Sequence, residues 1–222
     1  MLNRNIQKPL IFIVLLLFWL TTSQTQAAAK TSNPLNVPIL NQLAAPRLYN
    51  GCEITSLTMM MNYNSVNVNK LQLANQVSYV PFRYNNGLRG NPNVGFVGDM
   101  VHGPGLAVYH QPIYNLTKRY VGRRAQDLTG RSITDIYKKI DEGSPVWVIT
   151  TTSFAPVYNF QYWYTPQGTI RVTFSEHSVL LTGYSKYYVY VNDPYGYKNR
   201  RLNRTSFEAA WVQMGRQAVV IN

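Results

Sequence analysis

Residues 49–57 read Tyr-Asn-Gly-Cys-Glu-Ile-Thr-Ser-Leu (YNGCEITSL), and the reading of this stretch decides the fold. It holds the single cysteine of a 222-residue chain. Asn50-Gly51 is a turn signal. Behind it Ile54, Leu57, Thr58 and Met61 recur at three- and four-residue spacing, which predicts a helix with one buried face. Cys52 opens that helix, where unpaired backbone N–H groups and the helix dipole favour a thiolate. Gly51 removes side-chain bulk beside the sulfur and would let a substrate backbone approach. The plainer reading is a buried cysteine acting as a small hydrophobe. The inward positions begin at Ile54, which counts against it, but on this stretch alone the two readings are evenly matched.

Upstream, the chain opens like an export signal. Arg4 and Lys8 form a short basic region, Leu10–Leu20 is apolar throughout, and Ala27-Ala28-Ala29 has the small-x-small form that signal peptidase requires. The apolar run is 11 residues, short of the roughly 20 that span a bilayer as a helix. The expected organisation is a signal peptide over 1–29, a short leader over 30–36 and one domain over 37–222. In an exported protein a lone thiol has no disulfide partner, so its retention calls for a chemical reason. The whole chain carries net charge +12; without Arg4 and Lys8 there are 19 basic and 9 acidic residues, net +10. On an exported protein this excess suits an anionic cell wall or membrane surface rather than nucleic acid, and a solvated basic face serving solubility explains it equally well.

Downstream, Leu71–Val77 suggests a short helix. Residues 81–115 are rich in glycine and proline and read as a long irregular excursion, expected to border a functional cleft. Ser132 or Thr134 caps a helix over Ile133–Asp141. The remainder reads as strands: Pro145–Thr151, a hairpin around Pro166-Gln167-Gly168, then His177–Tyr184 and Tyr187–Asn192. Thr205 or Ser206 caps a last helix, Phe207–Met214, before a closing strand over Gln217–Ile221. A cysteine-bearing helix followed by a largely antiparallel sheet is an α+β domain.

Of three histidines, His102 and His110 fall in the glycine-rich excursion, with no carboxylate or cysteine cluster to make a metal site. His177 opens a strong strand. Its antiparallel neighbour ends at Asp193, so a tight turn at Ser185-Lys186 brings both side chains to the same end of adjacent strands. Asp193 can then hold the imidazole in the tautomer that takes the thiol proton, although a turn aspartate before Pro194 is also common. Gln42, ten residues before Cys52, is a candidate oxyanion donor alongside the Cys52 backbone N–H; Asn41 and Asn50 compete for that role on spacing alone.

The segments "NVPILNQ", "NGCEITSLTMMMNY", "EHSVLLTGYSKYYVYVNDPYG" and "FEAAWVQMGRQAVVI", in that order, resemble the C39-like cysteine peptidases, in particular the exported bacterial ones. The likeness covers most of residues 35–221. It implies a papain-like fold and a catalytic set that falls on Gln42, Cys52, His177 and Asp193, with no metal or cofactor. C39 domains fused to transporters cut leader peptides after a double glycine; this chain has no transporter segment, so that specificity is not carried over. The resulting expectation is an exported thiol peptidase acting on a peptide or protein substrate. Its rivals are a cell-wall peptide hydrolase or acyltransferase using the same thiol, and a non-catalytic wall- or peptide-binding module.

Overall fold

Strict alternation of side chains along the strands builds the centre of the molecule. The computed structural model describes residues 33–222; the expected signal peptide lies outside the described residues. In chain order come helices α1 (Cys52–Tyr63) and α2 (Lys70–Ala74), short strands β1 (Tyr79–Val80) and β2 (Phe96–Val97), helix α3 (His110–Val121), strand β3 (Ala125–Asp127), helix α4 (Ile133–Asp141), strands β4 (Val146–Thr151), β5 (Gln161–Thr165), β6 (Gly168–Val172), β7 (Glu176–Tyr184), β8 (Tyr188–Asp193) and β9 (Tyr197–Asn203), helix α5 (Arg204–Gln213) and strand β10 (Ala218–Ile221). Six strands form one sheet in the order β3-β10-β4-β7-β8-β9, every pair antiparallel.

Trp147, Ile149, Leu180, Val219 and Ile221 face one side of this sheet and pack with α1 and α3. Val146, Val148, Val179, Leu181, Ala218 and Val220 face the other, against Ile136 and Ile140 of α4 and Phe207 and Trp211 of α5. Successive residues thus serve two cores, as the two-residue period of a strand requires. The result is the α+β, papain-like arrangement of a cysteine-bearing helix on an antiparallel sheet.

The periodicity argument for α1 needs correction. Cys52 through Met61 are all buried, not one face of them. The sheet covers one side; Val37 and Leu48 from the segment before α1, with Phe96, Met100 and Val108 of the excursion, cover the rest. Two of its small hydroxyls find carbonyl partners: Thr58 donates to the Ile54 carbonyl one turn back at 2.7 Å, and Ser56 to the Ser178 carbonyl of β7 at 3.2 Å.

Other elements match with shifted ends. Ser132 caps α4 in a full capping box with Asp135. The last helix starts earlier than expected, with Asn203 as its cap instead of Thr205 or Ser206. The excursion ends sooner than expected: His110–Val121 is a helix, and Phe96–Val97 pairs in parallel with Tyr79–Val80. Tyr197–Asn203, which carries Lys198, Arg200 and Arg201, is the edge strand β9. None of the helices among the described residues is long and apolar enough to cross a membrane.

Candidate active site

Cys52 is the first residue of α1, with Gly51 as a cap that offers no side-chain bond. Its neighbour explains the glycine: a Cβ on Gly51 would lie 2.5 Å from the Leu48 Cβ. The space left by Gly51 is filled by Leu48 and not by an approaching substrate, which corrects the reading made from the sequence. Cys52 itself is 8% exposed.

His177 sits near the start of β7, opposite Thr150 of β4. The register that pairs Leu180 with Asn192 places Asp193, at the end of β8, on the same sheet face as Val179 and His177. His177 Nε2 and Asp193 Oδ1 are 3.0 Å apart, and both side chains are buried. The ring is clamped by Tyr195, stacked at 5.1 Å, and Phe154, edge-on at 5.9 Å. Burial pushes the Asp193 carboxyl up, but the bond and charge of His177, the Tyr195 N–H and the Arg200 guanidinium at 2.7 Å outweigh it, so its pKa lies below the usual carboxylate value. Asp193 therefore stays anionic and fixes the imidazole.

Gln42 is 1% exposed. Its Nε2 donates to the Tyr49 carbonyl at 2.9 Å and to the Leu48 carbonyl at 3.4 Å. Its backbone N–H donates to Pro194 at 2.8 Å, which ties its loop to the end of β8. Lys70 clasps the same loop, donating to the Asn41, Gln42 and Ala44 carbonyls at 2.7, 3.1 and 2.8 Å. Gln42, Cys52 and His177 line one cavity of about 120 Å³, with Leu106 of the excursion and Phe174 on its walls. Three of the four expected residues thus meet at one cavity, and Asp193 stands behind His177. Asn50 also lines it, while its side chain donates to the Asp99 carbonyl at 3.2 Å. His102 and His110 lie elsewhere, paired with Asp99 and Asp127.

The Peptidase_C39 like family model matches residues 34–219. The chain belongs to this C39-like family. It is 59% identical over 206 residues to the uncharacterized protein YvpB of Bacillus subtilis (strain 168), covering 90% of this chain and 82% of that protein. A crystal structure from Bacillus anthracis, of a protein named for its likeness to C39 peptidases, superposes with a TM-score of 0.82 at 42% identity, covering 86% of this chain and 98% of that one. Family membership fits a peptidase role.

Two residues of this C39-like site escaped the sequence reading. Glu53 is fully buried; its Oε1 accepts the Val108 N–H at 2.7 Å and its Oε2 accepts the Cys52 thiol at 3.3 Å. Glu176 is 7% exposed, lines the cavity, and has one oxygen without a partner. Both carboxyls are pushed up by burial, Glu53 to about 7. Burial first, then the Glu53 and Glu176 charges, raise the Cys52 pKa well above the ordinary thiol value, against a backbone hydrogen bond from Ser178. The helix start does not outweigh them: in this state the thiol is neutral and bonded to Glu53, with no hydrogen bond to His177 among the described residues. A signal for both was present, since each is the lone charged residue of a long uncharged run, 48–69 and 172–185; a solitary carboxylate in a core segment is rarely passive.

Proposed function

We propose that this chain is an exported cysteine peptidase. Cys52 attacks the carbonyl of a peptide bond, His177 takes the thiol proton and then gives it to the leaving amine, and Asp193 orients His177. Gln42 and the Cys52 N–H bind the oxyanion. The observation that carries this reading is the His177–Asp193 pair on the same cavity as the only cysteine. In the resting state the thiol donates to Glu53; the reaction requires it to turn toward His177, giving up that bond as substrate displaces water from the cavity. Export is part of the proposal and rests on the signal-like residues 1–29, and the basic mature chain suits work at an anionic envelope.

The test incubates the mature protein and its Cys52→Ala variant with peptide mixtures and with purified cell wall, and sequences the released N-termini. New termini produced by the wild type alone support the proposal. Identical digests from both proteins, with the variant folded, would remove Cys52 as nucleophile and leave a binding module as the better reading.

A further inference from the structure

The donor atoms of Cys52, Glu53 and Glu176 all lie within 4.8 Å of one another. Among the described residues no lysine or arginine pairs with either carboxyl; Glu53 is held by a backbone N–H and the thiol. Glu176 comes from a different element, is more than nine-tenths buried, and leaves Oε1 unpartnered although it faces the cavity that Cys52 lines. A buried carboxyl oxygen without a donor is unfavourable, and two carboxyls beside a thiol with no cation nearby is an arrangement that a cation would relieve.

From this geometry we infer that Cys52, Glu53 and Glu176 form a binding site for a single divalent cation of zinc-like softness, which caps the thiol reversibly. One sulfur and two carboxylate oxygens suit such an ion, whereas calcium and magnesium would demand more oxygen ligands. Around a tetrahedral ion, metal–sulfur and metal–oxygen bonds of about 2.3 and 2.0–2.2 Å put sulfur and oxygen about 3.5 Å apart. The Cys52–Glu53 distance of 3.3 Å already meets this, and Glu176 needs only to close in. The fourth position opens on the cavity and is free for water. Binding releases the thiol proton, and that of any carboxyl then protonated, to solvent. A capped sulfur cannot attack a carbonyl, so the ion would hold the protein inactive until a stronger chelator removes it.

Cobalt(II) titration of the metal-free protein tests the site without any reference to hydrolysis, so it stays informative even if the peptidase reading fails. We expect one ion per chain, a sulfur-to-cobalt charge-transfer band in the near ultraviolet that Cys52→Ala lacks, and zinc protection of Cys52 against iodoacetamide. Glu176→Gln, nearly isosteric, should weaken zinc at least tenfold, as should Glu53→Gln, whose amide oxygen can still accept the Val108 N–H. Absence of the band in the wild type would overturn the inference whatever the variants do. Equal zinc affinity in the folded Glu176→Gln variant and the wild type would also overturn it, by assigning the ion to Cys52 and His177.

Discussion

Gln42 has a structural duty in the fold, and its proposed chemical duty can be separated from it by measurement. Its amide already supports the Leu48 and Tyr49 carbonyls, just before the Cys52 helix, while the oxyanion role requires an N–H aimed at charge that appears only during reaction. In that role, Gln42→Ala should lower kcat by ~10²–10³ with KM nearly unchanged, and iodoacetamide should label Cys52 at the wild-type rate, since alkylation forms no oxyanion. Parallel loss of hydrolysis and alkylation would reduce Gln42 to a prop for the loop. Residue types and spacing were enough to single out Cys52, His177 and Asp193 as candidates, because the chain has one cysteine and three histidines and the strand spacing pairs His177 with Asp193. Glu53 and Glu176 were not recognised: each stands out in the sequence as a lone charge in an uncharged run, but their chemistry depends on burial and on each other, which that pattern does not encode.

At the scale of elements, the legible parts were those whose signal is local. Ser132 with Asp135 announces α4, and the apolar stretches Val146–Ile149 of β4 and Val179–Leu181 of β7 announce central strands. Helix α3 was hidden by its setting: no side chain caps it, and Pro112 in its first turn prolongs the proline-rich look of the excursion, though a helix tolerates proline there. Strand β9 carries one buried residue, Leu202, among exposed lysine and arginine; basic side chains on an edge strand ward off pairing with other chains and erase the apolar alternation a reader looks for. The junction of α1 with the preceding loop gives a direct test. Gly51→Ala forces its methyl group onto Leu48 and should cost about 1–3 kcal/mol by overpacking, measured by urea unfolding. Adding Leu48→Gly, which removes the clashing Cβ, to Gly51→Ala should cost less than the sum of the two single changes. Strict additivity would mean that Leu48 is not what requires the glycine.

For the molecule as a whole, the buried carboxyls near Cys52 shape the response to pH. Glu53 has a folded pKa of about 7 against the ordinary 4.5, so the folded chain keeps a proton that the unfolded chain has lost. That stabilisation is complete below about pH 4.5 and disappears as pH rises through about 7. Glu176 is raised in the same direction. Thermal unfolding should therefore show Tm falling between pH 5 and 8, and Glu53→Gln, which cannot ionise, should flatten that fall; a domain this large moves by roughly 2–4 °C per kcal/mol. Matching slopes in the two proteins would show that Glu53 ionises freely in the fold.

The position of β10 also governs how the molecule comes into being. Ala218–Ile221 is inserted between β3 and β4, so a strand from the far end of the described chain completes the middle of the sheet. Until it arrives, β3 and β4 have no common partner, and Trp147 and Ile149 lack the Val219 and Ile221 neighbours that close their core. Contacts between segments so distant along the chain make folding slow, because loop closure precedes any reward. A polypeptide without β10 cannot finish the sheet whose strand β7 carries His177 to the cavity that Cys52 lines. On the proposed function, hydrolytic competence would therefore appear only once β10 has paired with β3 and β4.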